Sequence, residues 1–410
     1  MRSSAMRDMM AITARPEIIS LAGGLPDTST FPSETFAAEM DRITRTAVAE
    51  VLQYGPTEGT DLVREQITKI MAAEGMTVDA ADVTVTTGGQ QAIDLITKIL
   101  IDPGDILICD APTYPGAIPT FCSYEADIIQ IECDADGMRM DLLEQTIADL
   151  AAKGRKPKFI YSIPTFQNPG GVTLSLERRN RLVALARQHE ILVVEDNPYG
   201  LLRYEGETVP TLYSLDGGNY VVYIGTLSKI LSAGLRIGWL VSPTPIREKV
   251  VLGKGASDLC TSSLTQDFAG HYFAHDPWRE YVDELVGIYR NRRDAMIGAM
   301  SEYFPHGASW NKPHGGLFIW ATLPDVLNTA DLLAKALTKG VAFVPGTAAY
   351  VDGRGASSMR LNFSGVKEDE IIEGIRRIGS VAQEHLALYE TMTNTNEMRL
   401  PDLDENGGNS

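Results

Sequence analysis

The chain has 410 residues, of which 44% are hydrophobic and 22% charged, and is long enough to bury a substantial core and to divide into two domains. Its formal net charge of −18 argues against binding to nucleic acids or to acidic membrane surfaces. The four cysteines form no C-x-x-C pair and no apolar run reaches the ~18 residues of a membrane span, so we expect a cytoplasmic protein with free thiols.

Three features near the N-terminus have more than one interpretation. The first twenty residues indicate an arm with a short helix, and Arg7 on this arm is most simply a solvated side chain. Gly23 and Gly24 permit a close approach of the backbone, although a plain turn explains them equally well. Tyr54 precedes Gly55 and Pro56, where its local context indicates only an aromatic residue before a turn.

A strand, a glycine turn and a helix follow one another from residue 83. Residues 83–86 alternate as a strand, Gly88, Gly89 and Gln90 follow, and residues 91–100 have helical spacing. The free N–H groups and the positive end of a helix dipole favour an anion at such a place. Turns of this kind also serve chain topology alone, so the signal depends on further phosphate-binding groups elsewhere.

Polar residues recur at the ends of the apolar runs that follow. Tyr114 comes after the predicted strand 105–109, Asn168 follows the strand 158–164, and Asp196 follows the strand 191–195. The spacing between Asn168, Asp196 and Lys229 is about one strand–helix–strand unit of ~30 residues each time. Since ligands bind outside the carboxyl ends of parallel strands, we expect these three side chains to converge.

The stretch around Lys229 carries the strongest chemical pattern. A predicted strand, 221–224, ends in a polar turn with the hydroxyls of Thr226 and Ser228 beside Lys229, and Arg236 follows between two glycines. This combination indicates an amine placed to react next to a bound anion. Taken alone, a solvated loop lysine is the better interpretation, because most lysines are exposed.

The C-terminal part predicts a second, smaller domain. Residues 314–320 and 341–346 read as strands, and helical spacing at 371–389 closes the domain. Arg360 opens the run Arg-Leu-Asn-Phe-Ser; its guanidinium can bind a carboxylate through two parallel hydrogen bonds, although an arginine in a strand is usually a surface residue.

Two other site types find little support in the sequence. His271 and His275 are spaced to share a helix face, but no third ligand is evident, so we predict no metal site. No Walker-type loop and no G-x-S-x-G elbow occurs, which disfavours nucleotide and serine hydrolysis.

Taken in order, these motifs resemble those of fold-type I pyridoxal-phosphate aminotransferases, most closely the group of 2-aminoadipate and kynurenine aminotransferases. The resemblance covers about residues 5 to 385, and several ordered motifs are far more specific than any single one. The matching segments are Ser20-Leu-Ala-Gly-Gly-Leu-Pro26, Gln53-Tyr-Gly-Pro56, Tyr114-Pro-Gly116, Asn168-Pro-Gly170, Asp196-x-x-Tyr199, Ser228-Lys229, Gly234-Leu-Arg236-x-Gly238 and Arg360-Leu-Asn-Phe-Ser364.

The resemblance implies an α/β fold in two domains. A large domain would have a mostly parallel, seven-stranded sheet between helices, and a smaller domain would be of the α+β type. We expect an arm and part of the small domain at 1–45, the large cofactor-binding domain at 46–285, the small C-terminal domain at 286–390 and a mobile tail at 391–410.

The resemblance also implies the cofactor and the residues of the site. Lys229 would hold pyridoxal 5'-phosphate as a Schiff base and then move the proton of the substrate Cα, and Asp196 would pair with the pyridine nitrogen. Other cofactor contacts would come from Asn168 and Tyr199 on the ring oxygen, Tyr114 on the ring face, and Gly88, Gly89, Gln90, Thr226, Ser228 and Arg236 on the phosphate. Substrate contacts would come from Arg360 on the carboxylate and from Asn168, Gly24, Tyr54 and Arg7. Tyr54 would reach the phosphate of the other subunit, which implies a homodimer with shared sites.

The predicted reaction moves the amino group of an L-amino acid, of the 2-aminoadipate, aromatic or branched-chain type, to a 2-oxo acid such as 2-oxoglutarate. Racemisation, β-elimination and decarboxylation use the same lysine and aspartate, so they stay open. A non-catalytic sensor is a further alternative, disfavoured because no basic helix-turn-helix region is evident. Departures from the family pattern are Gly89 and Thr226, where many relatives carry serine, and Ala233, where proline is common.

Overall fold

Strands and helices alternate through the middle of the chain, as the sequence predicts. The computed structural model describes residues 15–397. The strands are β1 (Ile19–Ser20), β2 (Val83–Thr86), β3 (Ile106–Ala111), β4 (Asp127–Asp134), β5 (Gly137–Met138), β6 (Phe159–Ser162), β7 (Leu192–Asp196), β8 (Val221–Thr226), β9 (Gly238–Val241), β10 (Ser309–Trp310), β11 (Phe318–Thr322), β12 (Val341–Ala342), β13 (Val344–Pro345) and β14 (Ser358–Asn362).

The helices complete the alternation. They are α1 (Ser33–Thr46), α2 (Val48–Val51), α3 (Asp61–Ala73), α4 (Gly89–Leu100), α5 (Ile118–Ser123), α6 (Met140–Ala152), α7 (Leu176–His189), α8 (Leu212–Asp216), α9 (Thr244–Ser257), α10 (Ser263–His275), α11 (Trp278–Tyr303), α12 (Thr329–Thr338) and α13 (Glu368–Glu397). Short 3-10 turns occur at Thr28–Thr30, Ala80–Asp82 and Gly346–Ala349. Within the described range, no helix combines the length and the apolar character that crossing a membrane requires.

The large sheet has the strand order β2-β9-β8-β7-β6-β3-β4-β5. Strands β3, β4, β6, β7 and β8 run parallel to one another, β9 is antiparallel to both of its neighbours, and β5 is a two-residue antiparallel addition at the edge. Every residue of β2, β3 and β6 is buried, because helices cover both faces. Seven strands with one minor edge strand confirm the predicted fold class.

The second sheet has the order β10-β11-β14-β13 and is antiparallel throughout. The N-terminal segment joins this part of the molecule, because β1 pairs in parallel with β12 through Ile19 and Val341. Leu21 then donates its N–H to the carbonyl of Ala342 at 2.8 Å. Residues 19–21 therefore pack on the part of the molecule that holds the second sheet, and the predicted domain boundaries stay a prediction.

Two details of the small domain differ from the sequence-based expectation. The strand predicted from residue 314 begins only at Phe318, because Gly315 and Gly316 pack directly on Phe166 and a Cβ atom on either would overlap that side chain. Arg360 lies in the middle of β14, paired with Trp320 and Val344, and is buried, whereas an arginine in a strand is usually a surface residue.

The end of the chain also differs from the expectation. A mobile tail is predicted from residue 391, but residues 391–397 continue α13, so the helix runs further than its apolar periodicity. Thr391 Oγ1 and Thr393 Oγ1 donate to the carbonyls of Ala387 and Tyr389, four residues back, as is usual for threonine on an exposed helix. The rest of the predicted tail lies outside the described residues.

Candidate active site

The carboxyl ends of β6, β7 and β8 bring together the polar residues that the sequence spacing predicts to converge. Asp196 is the last residue of β7 and pairs in register with Ile224 of β8. Lys229 lies three residues beyond the end of β8, and Asn168 lies six residues beyond β6. The parallel register of these strands therefore places all three at one edge of the sheet.

Asp196 is a buried carboxylate with a single strong donor. Only 6% of the residue is exposed, and Tyr161 Oη donates to its Oδ2 at 2.6 Å. Burial raises the pKa of Asp196 to about 6, while the hydrogen bond from Tyr161 and the charge of Lys229 act in the opposite direction. Asp196 is thus able to interact with a cationic group and to exchange a proton near neutral pH.

Lys229 carries an amine with an altered proton affinity. Burial lowers its pKa to about 8, the charges of Arg360 and Arg236 add to the decrease, and the charge of Asp196 opposes it. Its Nζ donates to the carbonyl oxygen of Gly24 at 2.5 Å. A lysine with this pKa is a nucleophile and a proton carrier at physiological pH, which a solvated lysine is not.

Arg360 is held rigidly beside Lys229. It is 1% exposed, its Nη1 donates to Asn168 Oδ1 at 3.0 Å and its Nη2 donates to the Ala22 carbonyl at 2.7 Å. The guanidinium lies 4.4 Å from the centroid of the Phe318 ring, a cation–π distance. Burial lowers the pKa of Arg360 to about 10, so the group stays cationic at neutral pH and suits a small carboxylate.

Asn168 and Tyr199 are hydrogen-bonded to each other near Arg360. Asn168 Nδ2 donates to Tyr199 Oη at 3.2 Å, and both residues are buried. The Tyr199 ring meets Phe318 edge to face, with centroids 5.9 Å apart. Burial raises the pKa of Tyr199, so its hydroxyl keeps its proton and can donate a hydrogen bond.

A tight backbone cradle lies at the start of α4. Gly88 has φ +80°, and a Cβ atom there would overlap the guanidinium of Arg236. A Cβ on Gly238 would lie 2.6 Å from the Gly89 nitrogen, so the two backbones approach as closely as glycine allows. Arg236 Nη2 donates to the Thr87 carbonyl at 3.2 Å, which keeps the guanidinium at the helix N-terminus.

The hydroxyl groups beside Lys229 complete this cradle. Thr226 Oγ1 donates to Ser228 Oγ at 2.9 Å and accepts from the Ser228 N–H at 3.1 Å. An arginine, two hydroxyls and the free N–H groups of a twelve-residue helix form a donor set that fits a phosphate dianion.

Gln90 and Tyr114 both contact Gly116. Gln90 Nε2 donates to the carbonyl of Gly116 at 3.1 Å and to Thr120 Oγ1 at 2.8 Å, so its amide fixes the turn after β3. A Cβ on Gly116 would overlap the Tyr114 ring, so the end of that side chain lies directly against this turn. Burial and the charge of Asp196 raise the pKa of Tyr114.

One predicted residue is not brought into this site within one chain, and another lies outside the described residues. Tyr54 is 78% exposed and lies on the surface. Arg7 lies outside the described residues, so its predicted substrate contact is not represented. Gly24, by contrast, lies at the site through its bond to Lys229 and its close contact with Phe318.

Three contributors were not predicted from the sequence. Tyr161 donates to Asp196, Phe318 lies under Arg360, and Asp258 accepts hydrogen bonds from Thr87 Oγ1 and Gln91 Nε2 beside the cradle. Tyr161 and Phe318 belong to strands whose register the sequence does not reveal, and Asp258 follows the end of α9. The only available signal was the position of Tyr161 in the strand before Asn168.

The histidine pair has a structural explanation. His271 and His275 stack with ring centroids 4.0 Å apart, and His271 Nδ1 lies 2.8 Å from Glu39 Oε1. Across residues 15–397, no cluster of three or more histidine, cysteine, aspartate or glutamate side chains is arranged to hold a metal ion.

The residues at this edge of the sheet fit pyridoxal 5'-phosphate. Lys229 offers an amine for the aldehyde, and Asp196 offers a buried carboxylate for the pyridine nitrogen. The glycine cradle offers a phosphate site, where a Cβ atom on Gly88 would meet Arg236 and one on Gly238 would meet the backbone of Gly88 and Gly89. The donors and acceptors required for the three polar parts of that cofactor are thus all present.

Comparison with known proteins leads to the same family. The family model for "Aminotransferase class I and II" matches residues 16–378. An aromatic-amino-acid aminotransferase of Thermococcus litoralis is 41% identical over 387 residues, which are 94% of this chain and 93% of the relative. The structure of Pyrococcus horikoshii kynurenine aminotransferase in complex with PMP has a TM-score of 0.89 and 42% identity, covering 94% of this chain and 96% of that one.

A second solved structure extends the likeness. The alpha-aminoadipate aminotransferase of Thermus thermophilus, complexed with N-(5'-phosphopyridoxyl)-L-leucine, has a TM-score of 0.87 and 33% identity, covering 94% of this chain and 96% of that one. The matches include the strands and turns that carry the site described above. This chain is therefore a member of the class I and II aminotransferase family, a fold-type I enzyme that depends on pyridoxal phosphate.

Proposed function

We propose that the enzyme takes the amino group from an L-amino acid of the 2-aminoadipate, aromatic or branched-chain type and delivers it to 2-oxoglutarate or a similar 2-oxo acid. The observation that carries this proposal is the pairing of Lys229, with a pKa lowered to about 8, and Asp196, with a pKa raised to about 6, at one strand edge. The names of the relatives support the substrate classes: aromatic amino acids, kynurenine and alpha-aminoadipate, and a leucine adduct.

Lys229 has the proton-transfer role in this proposal. Because its pKa is near 8, about a tenth of the amine is neutral at pH 7, and this form can accept the proton from the substrate Cα. The protonated Nζ would then act as a general acid and donate the proton to the carbon on the other side of the amino nitrogen. Bound pyridoxal phosphate supplies the electron sink that makes the Cα proton acidic.

Asp196 has an electrostatic role. Its Oδ2 accepts from Tyr161, and the charge of Lys229 also favours the ionised form, so the carboxylate can keep a proton on the pyridine nitrogen. Asn168 and Tyr199 would hold the ring oxygen, Tyr114 would cover the ring face, and the phosphate contacts would come from Gly88, Gly89, Gln90, Thr226, Ser228 and Arg236.

Arg360 orients the substrate in this scheme. Two of its nitrogens are already fixed by Asn168 and Ala22, so the guanidinium does not need to reorganise when a carboxylate arrives. The turn that contains Gly24 lies over Lys229 and would contact the same end of the substrate.

We also propose that two copies of the chain form a homodimer and share their sites. Ser263 Oγ donates to the Gln53 carbonyl at 3.0 Å, so the Tyr54 loop lies beside the start of α10. Leu52, Tyr54 and Leu259 are all more than half exposed in this region, and an exposed apolar surface of this kind favours association. The cytoplasmic location stays a prediction.

Subunit mixing tests the shared site. A Lys229→Ala chain and a Tyr54→Ala chain would each be defective, but a hybrid dimer would have one site with both intact residues. We expect activity above the sum of the two parents after the chains are unfolded together and refolded. Activity no higher than that sum, with hybrid dimers present, would refute the sharing.

A substrate panel tests the reaction. Purified protein loaded with pyridoxal phosphate would be incubated with 2-oxoglutarate and one amino acid at a time, and glutamate and the new 2-oxo acid would be measured. Both should appear for at least one of the proposed classes. Their absence across the panel would refute the proposal. The relatives described above are named as aminotransferases, which gives no support to racemisation, β-elimination, decarboxylation or a sensor role.

A further inference from the structure

Glu74, the residue that follows α3, supports the turn that carries two site residues. The turn runs from Asp196 to Gly200 and includes Tyr199. Asn197 Nδ2 donates to Glu74 Oε2 at 2.7 Å, directly after Asp196. At the other end, a Cβ atom on Gly200 would overlap Glu74 Oε2, so the carboxyl group lies against the backbone just after Tyr199. One carboxyl group therefore contacts both ends of the turn.

The same carboxyl group also reaches β8. Tyr223 Oη donates to Glu74 Oε1 at 3.4 Å and accepts from Asn197 Nδ2 at 3.1 Å. Tyr223 lies on the strand that leads to Lys229, and Asn197 follows the strand that ends at Asp196. Glu74 thus bridges the two strands whose ends bring the lysine and the aspartate together.

The bridge lies on the side of the sheet away from Asp196. Glu195 pairs with Tyr223 in the register of β7 and β8, and successive residues of a strand point to opposite faces. Glu195 accepts hydrogen bonds from the N–H groups of Leu212 and Tyr213 of α8, on the outer face. Glu74 consequently supports the site from behind and does not line it.

The environment of Glu74 is costly for a carboxylate. Burial raises the pKa of Glu74 to about 7, the charge of Glu195 acts in the same direction, and the bond from Asn197 opposes both. The residue as a whole is half-buried, but its carboxyl group has the polar partners Asn197 and Tyr223, so it is not a fully solvated surface glutamate.

We propose that Glu74 is a positioning residue that sets the placement of Asp196 and Tyr199 through its contacts with Asn197, Gly200 and Tyr223. The proposal rests on the roles given above to Asp196 and Tyr199. This positioning depends on the length of the Glu74 side chain and on its acceptor oxygens, because Asn197 and Tyr223 are the groups that donate to it. Net charge at this position is therefore dispensable.

Two substitutions of Glu74 separate the effect of side-chain length from the effect of charge. Glu74→Gln keeps the length and can accept from Asn197 while its amide faces Tyr223 Oη, whereas Glu74→Asp keeps the charge but is one methylene shorter. Glu65→Gln and Glu65→Asp, at an exposed position of the same helix, are the matched controls. The readouts are kcat, KM and the pH titration of the visible absorbance of bound pyridoxal phosphate.

We expect Glu74→Asp to lower kcat by roughly tenfold with KM within about twofold, because a small displacement of catalytic groups is costly. It should also shift the midpoint of the absorbance titration, while Glu74→Gln and both Glu65 variants stay close to the parent. Asn197→Ala, which removes the donor, should behave like Glu74→Asp.

Three results would overturn the proposal. One is an unchanged kcat and titration in Glu74→Asp with only a lower melting temperature, since that indicates a purely structural role. The second is an equal decrease of kcat in Glu74→Gln and Glu74→Asp. The third is an absorbance titration of Asn197→Ala with the same midpoint as that of the parent enzyme. The absorbance titration requires bound cofactor but no turnover, so it tests the role of Glu74 even if the parent enzyme forms no glutamate. Failure of the parent enzyme to form glutamate would count against the proposed reaction alone.

Discussion

Asn168 Oδ1 accepts a hydrogen bond of 3.0 Å from Arg360 Nη1, although 192 residues separate the two in the chain. Asn168 belongs to the turn after β6 in the large sheet, and Arg360 lies within β14 of the small one. Since Asn168 Nδ2 also donates to Tyr199 Oη, the group proposed to bind a carboxylate and the group proposed to contact the ring share one network. Substitutions at either end should therefore affect both binding and chemistry.

Arg360→Ala is the most direct test of carboxylate recognition. It removes a buried cation, so we expect substrate binding to weaken by about 2–4 kcal/mol, roughly 30- to 1000-fold in KM. Arg360→Lys should recover only part of this loss, because an ammonium cannot reproduce the two directed bonds to Asn168 and Ala22. Steady-state kinetics measure both, with the exposed Arg45→Ala as control. An unchanged KM in Arg360→Ala would contradict the role.

Lys229→Ala tests the proposed covalent attachment and proton transfer. The variant should lose amino-group transfer and the visible absorbance of the lysine-bound cofactor, since no other amine is predicted to take its place. Absorbance spectroscopy after reconstitution and a glutamate assay measure the two effects. Lys249→Ala, at an exposed position, should keep both. A Lys229→Ala protein with parental absorbance would show that the attachment is elsewhere.

Asp196→Asn predicts a pH-dependent gain in stability for the cofactor-free protein. The folded pKa of Asp196 is raised to about 6 from an ordinary 3.8, so the folded state binds the proton more tightly and stability falls as pH rises between these values. At pH above about 7 the full penalty of about 3 kcal/mol applies, and it disappears below about pH 4. Asparagine cannot ionise, so the variant should be the more stable protein at neutral pH and should lose this advantage in acid.

Chemical denaturation of the cofactor-free proteins at several pH values measures this difference. Asp325→Asn, at an exposed position, should give no such pH-dependent gain. The same Asp196→Asn variant should lose most of its turnover once the cofactor is added, because a neutral amide does not keep a pyridine nitrogen protonated. A stability difference that does not vary with pH would contradict the assignment of the buried charge.

Gly88→Ala tests the phosphate cradle. A Cβ at this position meets the Arg236 guanidinium, so we expect weaker retention of pyridoxal phosphate in addition to the backbone strain of a positive φ. Gly104→Ala is a matched control, because Gly104 has φ +84° and no atom within 4 Å of the added Cβ. Equilibrium dialysis against pyridoxal phosphate measures the affinity. If Gly88→Ala and Gly104→Ala bound pyridoxal phosphate with equal affinity, the contact with Arg236 would not explain any loss of affinity, and backbone strain alone would remain as the cause.

The sequence predicted the parallel core and the place of the site well, for a physical reason. Buried parallel strands are continuous apolar runs, and the run at 221–224 coincides with most of β8, which pairs in parallel with β7. The regular spacing of Asn168, Asp196 and Lys229 follows from the size of a strand–helix–strand unit, so it indicated which edge of the sheet they share. The roles assigned to those residues came from the family resemblance.

Other features depend on contacts between distant parts of the chain and have no local signal. Tyr161 reaches Asp196 only because β6 pairs with β7 in one particular register. Gly315 and Gly316 belong to an apolar-looking run, yet their packing on Phe166 delays the start of β11. Glu74 has no local signal in the sequence, and its contact with Asn197 becomes visible only in the folded chain. Tyr54 could be interpreted only through a second subunit.

Asn168, Ala22 and Phe318 hold the Arg360 guanidinium in the folded chain. These contacts also determine at which stage this cation loses its water. The guanidinium loses most of its hydration while the chain folds, and neutral oxygens and an aromatic face replace the water. An incoming carboxylate then meets a dry positive charge that already points in one direction. Dehydration is thus completed once in the lifetime of each molecule, and successive turnovers do not repeat it.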